Sequence, residues 1–340
     1  MDELCLSIPA RCGDCRAAHP GLDTGRCPTD QGKKLAEPMH DLAIFYEHPA
    51  WFAPLFAALD ARGVDYMRIG IAGHRFDPAG SPPPARVVFS RLAMSSFLRS
   101  PDHAIYYAHA LFAHWAGQGA RVINGADVLA VDANKARQLA LMTGLGLAVP
   151  ATRVVHRPVD ILAAAAELRF PLVVKANVGG SGAGIMRYDS AEELARAVAD
   201  AFLPTSIDGV LLVQEYVPAR DGTITRIETL NRKFLYAINV AGGGAFDLCP
   251  ADACVADGPP ITMTRTEPAA ALIDAAERIA VAAGLDIGGV EVMIDDRDGT
   301  PRFYDINALS NFVAKPVEVL GFDPHDRLVD YLVEQIEREK

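Results

Sequence analysis

Residues 173–185 read VVKANVGGSGAGI, and this stretch decides the fold. An apolar run typical of a buried strand ends at Lys175, and four glycines and a serine follow within residues 179–184. Backbone N–H groups of such a loop can approach a polyphosphate unhindered, and Lys175 adds a positive charge. The order is not that of a P-loop, where the lysine follows the glycines. A flexible hairpin turn would explain the glycines but not a charged residue closing a buried strand, so the segment favours phosphate binding.

A second informative stretch lies near the C-terminus, where residues 288–311 read GGVEVMIDDRDGTPRFYDINALSN. Glu291 and Asp305 are each seven residues from Asp298, so a turn centred there places them opposite one another on antiparallel strands. Asn307 shares the face of Asp305 because side chains alternate along a strand. Facing carboxylates repel each other, and a bound cation relieves this repulsion. Two carboxylates and an amide oxygen predict a Mg²⁺ site, with a solvated hairpin as the alternative.

The first part of the chain alternates short apolar runs with helical patterns. This alternation predicts a mostly parallel α/β sheet whose ligands lie beyond the carboxyl ends of the strands. We expect strands at 42–46, 65–69, 86–90 and 121–124, and helices at 50–62 and 102–117. Glu47, His48, Ser90 and Arg91 then lie on the ligand-facing edge.

After Asn124 the alternation stops and the pattern becomes α+β. We expect strands at 172–175, 210–216, 226–230, 234–239, 290–294 and 302–306, and helices at 134–143, 190–201, 267–283 and 324–339. Thr266 is the expected N-cap of the third of these helices, and Gly284 the residue that ends it.

Composition excludes several classes of protein. Half of the 340 residues are apolar and the net charge is −11, which suits a globular protein and disfavours nucleic acid or an anionic membrane as partner. No run of about eighteen uncharged apolar residues occurs, and the first thirty residues lack the core of a signal peptide. Six cysteines in a chain of this length indicate reduced thiols. We therefore expect a cytoplasmic protein, either a monomer or a homo-oligomer.

Residues 1–39 carry little apolar periodicity and are expected to form a flexible extension. Cys5, Cys12, Cys15 and Cys27 lie in this segment, so a zinc site is the alternative.

Four motifs, taken in order, resemble those of ATP-grasp carboxylate–amine ligases, and most closely the RimK-type α-L-glutamate ligases. They are Lys135 in DANKARQLALMTGLGLAVPAT, Lys175 with its glycine loop, VQEYV at 213–217, and the trio Glu291, Asp305 and Asn307. The preceding VVFSRLAMSSF resembles, more loosely, the strand and arginine before the nucleotide fold of that group. Three positions differ from the RimK pattern. The D-x-R motif is Ile224-Thr225-Arg226, the E-x-N motif is D-I-N, and the residues after Asn307 are not the usual small-Ser-Pro turn.

The resemblance implies an ATP-grasp fold, in which a parallel α/β domain (40–130) precedes two α+β subdomains (about 131–215 and 216–340) that clasp ATP. It assigns the phosphates to Lys135, Lys175 and a glycine lid that includes Gly180, Ser181, Gly182 and Gly184. The adenine would bind to the hinge formed by Gln214, Glu215, Tyr216 and Val217, and the ribose would bind to Asp221. Glu291, Asp305 and Asn307 would hold Mg²⁺, with Mn²⁺ as the alternative ion.

These assignments predict an ATP-dependent ligase that activates a carboxylate as an acyl phosphate, which an amine, expected to be an amino acid, then attacks. Arg226 and Lys175 are the predicted catalytic residues, with Arg226 steadying the acyl phosphate. The substrates are expected to be small molecules or peptides. The alternatives are a catalytically silent nucleotide-binding regulator and an ATP-grasp enzyme with a different acceptor nucleophile. An NAD-dependent oxidoreductase is disfavoured because no glycine fingerprint follows the first strand.

Overall fold

A computed structural model describes residues 40–99, 103–180, 182, 184–242 and 261–340. The predicted extension at 1–39, with its four cysteines, and Ser181 of the glycine loop lie outside the described residues.

The first sheet is parallel, as predicted, with strand order β2-β1-β3-β4. Its strands are β1 (His40–Tyr46), β2 (Tyr66–Gly70), β3 (Ala85–Arg91) and β4 (Arg121–Ile123). Helices α1 (Ala53–Ala61) and α2 (Ala104–Gly117) connect them. A single 3-10 turn, Pro49–Phe52, precedes α1, so the predicted helix from residue 50 begins three residues late.

Two helices lead out of this sheet, and the sequence pattern predicted only the second. Helix α3 (Ala126–Asp132) has seven residues and no side-chain cap, which explains why it was missed. Helix α4 (Lys135–Gly144) begins after Asn134, whose side chain accepts a hydrogen bond from the Arg137 N–H. This cap fixes Lys135 as the first residue of α4.

The second sheet has the order β5-β8-β6-β7 and is antiparallel throughout. Its strands are β5 (Thr152–Val155), β6 (Leu172–Ala176), β7 (Ile185–Tyr188) and β8 (Leu211–Glu215). Helices α5 (Ile161–Ala165) and α6 (Ala191–Ala199) pack against it. The glycine loop joins β6 to β7, so it forms the turn of a hairpin.

The third sheet is also antiparallel, with the order β11-β10-β9-β12-β13. Its strands are β9 (Ala219–Leu230), β10 (Lys233–Gly242), β11 (Ile261–Thr266), β12 (Ile287–Asp295) and β13 (Pro301–Asn307). Helices α7 (Ala270–Ala283), α8 (Pro316–Leu320) and α9 (Pro324–Arg338) complete this part.

The predicted start of the long helix before Gly284 is wrong. Thr266 ends strand β11, where it pairs with Ala237, and α7 starts only at Ala270. The predicted end is confirmed, since Gly284 adopts φ +71°, a left-handed conformation that glycine accepts at low cost.

One apolar core joins the first and third sheets. Leu42 and Val87 of the first sheet, Ile238 of the third, and Leu328 and Leu332 of α9 all belong to it and are almost fully buried. This shared core explains how residues of the first sheet come to border a cavity formed mainly by the other two. None of the described helices is both long and apolar enough to span a membrane.

Candidate active site

A cavity of about 670 Å³ receives side chains from the second and third sheets and from one edge of the first. Such a volume lies within the range of small-molecule sites. The cavity is lined by thirteen of the sequence-predicted site residues: Lys135, Lys175, Gly180, Gly182, Gln214, Glu215, Tyr216, Val217, Asp221, Arg226, Glu291, Asp305 and Asn307. Residues predicted from four separate motifs therefore border one space.

Gly184 does not line the cavity and has a different part in the loop. Its φ is +71°, and its carbonyl accepts a hydrogen bond from the Ala176 N–H at 2.9 Å. Gly184 thus closes the base of the hairpin rather than facing a ligand.

The predicted hairpin register is confirmed, because Glu291 and Asp305 are direct partners on β12 and β13. Asn307 lies beside both carboxylates, with Nδ2 3.4 Å from Glu291 Oε1 and 3.5 Å from Asp305 Oδ2. The three side chains form one cluster on the cavity wall.

The expected repulsion between the two carboxylates is offset by buried cations that the hairpin sequence did not reveal. Lys135 Nζ lies 2.5 Å from Asp305 Oδ1, and Arg226 Nη1 donates to Glu291 Oε1 at 3.0 Å. Burial nevertheless raises the pKa of Glu291, and the charge of Asp305 raises it further. The pKa of Lys135 is also raised, because the Asp305 carboxylate outweighs the effect of burial.

Lys175 lies on β6, an inner strand of the second sheet, and is 5% exposed. Burial lowers its pKa to about 7, and the positive charge of Lys135 contributes in the same direction. In the free protein, no nearby carboxylate among the described residues fully compensates a positive charge on Lys175. An anion in the cavity would therefore find a favourable partner in Lys175.

The glycine loop approaches the first sheet closely at Gly180. A β-carbon at this position would lie 3.1 Å from Ser95 Cβ and 3.2 Å from Ser95 N. Ser95 also lines the cavity. The absence of a side chain at Gly180 thus lets the loop pack against the segment that follows β3.

The predicted adenine hinge lies at the end of β8. One of its backbone groups, which was expected to contact the adenine, already forms a hydrogen bond within the protein. The Tyr216 N–H donates to the Pro171 carbonyl at 2.9 Å, and the Glu215 carboxylate accepts from the Arg169 N–H at 3.1 Å. Gln214 is held by its Nε2 donating to Thr152 Oγ1 at 2.8 Å. The hinge is therefore fixed on both sides. Asp221 follows it, exposed and with φ +54°.

Arg226 is held in position by Glu228, a residue that the sequence motifs did not indicate. Its Nε donates to Glu228 Oε1 at 2.6 Å, and Glu228 is 1% exposed. Together with the bond from Arg226 to Glu291, this makes a buried chain of three alternating charges. Gly289 gives it room, since a β-carbon there would lie 2.8 Å from both Arg226 Nε and Glu228 Oε1. The sequence did contain a signal for this contact. Glu228 is two residues after Arg226 on an apolar strand, so both side chains lie on the same face.

Asp132 is another cavity residue that the motifs did not indicate. It ends helix α3, and burial raises its pKa to about 7, with the charge of Asp305 adding to the effect. The backbone N–H of Ala308 counteracts this shift.

The donor set fits Mg²⁺ bound together with phosphates. Among the described residues no group of three or more His, Cys, Asp or Glu side chains could enclose an ion. The cluster instead offers two carboxylates and an amide on one side of an open cavity, which suits a hard cation that also takes phosphate oxygens and water. Glu291, Asp305 and Asn307 would hold it.

Comparison with known proteins identifies the family. The model of the RimK-like ATP-grasp domain matches residues 132–332. The chain belongs to the RimK-like ATP-grasp family. It is accordingly an ATP-dependent ligase, and its general reaction is carboxylate–amine ligation.

Individual relatives are distant. The chain is 26% identical to a probable alpha-L-glutamate ligase of Stutzerimonas stutzeri (strain A1501) over 239 residues, 67% of this chain and 72% of that one. Among solved structures, a RimK domain ATP-grasp protein from Sphaerobacter thermophilus has a TM-score of 0.62 at 20% identity, covering 86% of this chain and 99% of that one. The ATP-grasp ligase PsnB, complexed with a precursor variant, Mg and ADP, has a TM-score of 0.62 at 17% identity, covering 88% and 99%. These structures confirm the predicted ATP-grasp fold.

Proposed function

We propose that this enzyme joins a carboxylate to the amino group of an amino acid through an acyl phosphate, using ATP and Mg²⁺. The observation that carries the proposal is the convergence of Lys135, Lys175, Arg226 and the facing acids Glu291 and Asp305 on one cavity. Three cations and an oxygen cluster suit phosphoryl transfer, which needs positioning and charge neutralisation more than a protein nucleophile.

ATP would lie between the second and third sheets. Its adenine would meet the hinge at Glu215 and Val217, since the Tyr216 N–H is engaged by Pro171. Asp221 would take the ribose hydroxyls. The phosphates would lie against Lys135, Lys175 and the glycine loop, whose Gly180 and Gly182 line the cavity. When bound, Mg²⁺ would neutralise phosphate charge beside Glu291, Asp305 and Asn307; Mn²⁺ is the alternative ion.

The reaction has two balanced steps. A substrate carboxylate oxygen bonds to the γ-phosphorus as the bond to the β-phosphate oxygen breaks, which releases ADP. The amine then attacks the acyl carbon, the C–O bond to phosphate breaks, and phosphate and one proton leave. Arg226 would steady the acyl phosphate, and its guanidinium, which lies between Glu228 and Glu291 at the cavity wall, supports this role.

Two alternatives make different predictions. A silent nucleotide-binding regulator would bind ATP without consuming it, and the presence of Lys135, Lys175, Glu291 and Asp305 around one cavity disfavours it. An enzyme with another acceptor nucleophile would form the acyl phosphate but no amide. The dependence on ATP and the sparse cysteines favour the cytoplasm as the site of the reaction.

Hydroxylamine trapping tests the proposal. The protein is incubated with Mg·ATP and a panel of carboxylates and amino acids, and ADP, hydroxamate and amide are measured by mass spectrometry. We expect ADP in proportion to amide, and hydroxamate when hydroxylamine replaces the amine. ATP binding without ADP release under all conditions contradicts a ligase, and hydroxamate without any amide contradicts an amine acceptor.

A further inference from the structure

One wall of the cavity comes from the first sheet, outside all four ATP-grasp motifs. Trp51, in the turn before α1, lines it together with Met94 and Ser95, which follow β3. Met94 is largely buried, and Trp51 is partly exposed. This wall is thus mainly apolar, in contrast to the phosphate side.

The segment after β13 extends the same wall. Leu309, Asn311 and Phe312 line the cavity just beyond the proposed metal residue Asn307. Arg91, at the end of β3, donates to the Ser310 carbonyl and, at 3.2 Å, to Asn311 Oδ1. These bonds tie the segment to the first sheet. They also orient the Asn311 amide, because an arginine can only donate, so its NH₂ group remains as the donor.

Two arginines, Arg91 and Arg99, lie close to this wall, and neither lines the cavity. Of the two, Arg99 is paired with a carboxylate. Arg99 donates to both carboxylate oxygens of Glu47, at 2.7 and 2.6 Å, and its guanidinium lies 4.4 Å from the Trp51 ring. Arg91 is 2% exposed and does not line the cavity.

Among the described residues, the only cations that line the cavity are Lys135, Lys175 and Arg226. Lys135 and Arg226 are paired with Asp305 and Glu291, and Lys175 belongs to the phosphate side. Within the part of the chain that the structure describes, an acidic substrate side chain at this wall would therefore be desolvated without a cation of its own, which is costly.

We propose that the amino acid joined by this enzyme carries an apolar or aromatic side chain, and that a second carboxylate, as in glutamate, is rejected. Trp51, Met94, Leu309 and Phe312 receive the side chain, beside the Asn311 NH₂ donor. The proposal rests on the proposed function and names the substrate class of that site. Each methylene buried in such a pocket contributes about 10- to 200-fold to discrimination.

Steady-state kinetics test the substrate class. Leucine, methionine, phenylalanine, glutamate and aspartate are supplied in pairs, so that each is tested both as the carboxylate substrate and as the amine substrate. ADP and amide are measured. We expect kcat/KM at least tenfold higher for apolar than for acidic amino acids. Equal or higher values for glutamate or aspartate overturn the substrate class while leaving the ligase function intact.

Tryptophan fluorescence gives a readout that does not need turnover. Trp51 and Trp115 are the two tryptophans, and Trp115 is buried in α2. With Mg²⁺ and a non-hydrolysable ATP analogue present, leucine or phenylalanine should change the emission of wild type but not of Trp51→Phe, and glutamate should change neither. No response to any apolar amino acid, or an equal response to glutamate, refutes the proposal. If wild type does not bind the ATP analogue, the proposed function is refuted instead.

Two variants sharpen the test. Trp51→Ala should raise KM for the apolar amino acid at least tenfold with KM for ATP unchanged, whereas Phe202→Ala, an exposed aromatic outside the cavity, should change neither. Leu309→Arg places a cation at the wall and should raise kcat/KM for glutamate relative to leucine at least tenfold. Unchanged specificity in both cavity variants, with melting temperatures near wild type, contradicts the assignment of this wall.

Discussion

Glu291 and Asp305 lie directly opposite each other on β12 and β13, yet each carboxylate has a cation of its own. Asp305 pairs with Lys135, and Glu291 with Arg226. The four charges alternate in a largely buried cluster. Removing any one of them leaves another without its partner, which in a buried setting costs more than the pair contributes.

Asp305→Asn should therefore destabilise the free protein. The two carboxylates considered alone predict a neutral or stabilising effect, because a repulsion is relieved. The largely buried Lys135 ammonium, left without Asp305, reverses the sign. We expect a loss of about 1–3 kcal/mol, less than for a fully enclosed pair because the cluster borders a cavity. Mg·ATP should also lose most of its power to raise the melting temperature, and turnover should fall by orders of magnitude. Denaturant unfolding and thermal shift measure these effects.

Asp296→Asn is the matched control for Asp305→Asn. Asp296 lies in the hairpin turn, 63% exposed, with Arg220 at 3.6 Å. Stability and turnover should stay near wild type. Equal behaviour of the two variants would mean that Asp305 is only part of a solvated surface and would remove the magnesium assignment.

Lys175→Met should separate ligand binding from folding. Because Lys175 is buried and its pKa is lowered, removing the ammonium should leave the melting temperature of the free protein unchanged or higher at pH 7. The affinity for Mg·ATP should fall at least tenfold, since a charge-assisted contact to phosphate is lost. Isothermal titration calorimetry measures the affinity. Lys233→Met, which removes an exposed lysine paired with Glu277, should bind as wild type does; wild-type affinity in Lys175→Met contradicts the phosphate assignment.

The lowered pKa of Lys175 also predicts how protons move on binding. In the free protein its pKa is about 7 instead of 10.5, so the unfolded chain binds more protons between these values. The destabilisation from Lys175 is thus complete below pH 7 and fades as pH rises toward 10.5. Bound phosphates raise this pKa again, so Mg·ATP binding at pH 8 should take up protons.

Calorimetry in two buffers with different ionisation enthalpies measures this uptake. Lys175→Met should take up fewer protons than wild type. Asp132, with a pKa of about 7, also gains protons near an anion, so Asp132→Asn is needed to separate the two contributions. The same uptake in wild type and Lys175→Met shows that Lys175 does not titrate with binding.

Local signals in the sequence predicted local structure well. The register of Glu291 and Asp305 followed from counting outward from Asp298, and the end of α7 followed from Gly284. The start of that helix failed because Thr266 pairs with Ala237 on β10, a contact that no local pattern records.

The cavity was predictable only where motifs reached it. Lys175 and the hairpin acids were found because a charge in an apolar strand is conspicuous. The pairing of Lys135 with Asp305 joins residues 170 positions apart, and Trp51 reaches the cavity only through the core shared by the first and third sheets. Such contacts depend on the packing of whole elements, so a single sequence does not show them.

Gly180→Val should impair the loop rather than the fold. The new side chain would press on Ser95, whose backbone N lies only 3.2 Å from the β-carbon position and cannot yield as a side chain can. The loop must then move away from the first sheet. We expect kcat to fall at least tenfold with a small change in melting temperature. Gly144→Ala, at a helix end where a β-carbon meets nothing within 4 Å, should leave both unchanged; wild-type kcat in Gly180→Val would show that this contact is not needed.

Glu228→Gln should disturb the reaction through Arg226. The glutamine can still accept a hydrogen bond from Arg226 Nε, but the charge that holds the guanidinium between Glu228 and Glu291 is lost. Because Glu228 does not line the cavity, KM for ATP should be unchanged, while kcat and the hydroxamate yield fall about tenfold or more. Glu277→Gln, which weakens a surface pair with Lys233, is the matched control. If Glu228→Gln lowers only the melting temperature, with kcat and hydroxamate yield as in the control, Glu228 is a structural partner of Arg226 and has no part in positioning it for the acyl phosphate.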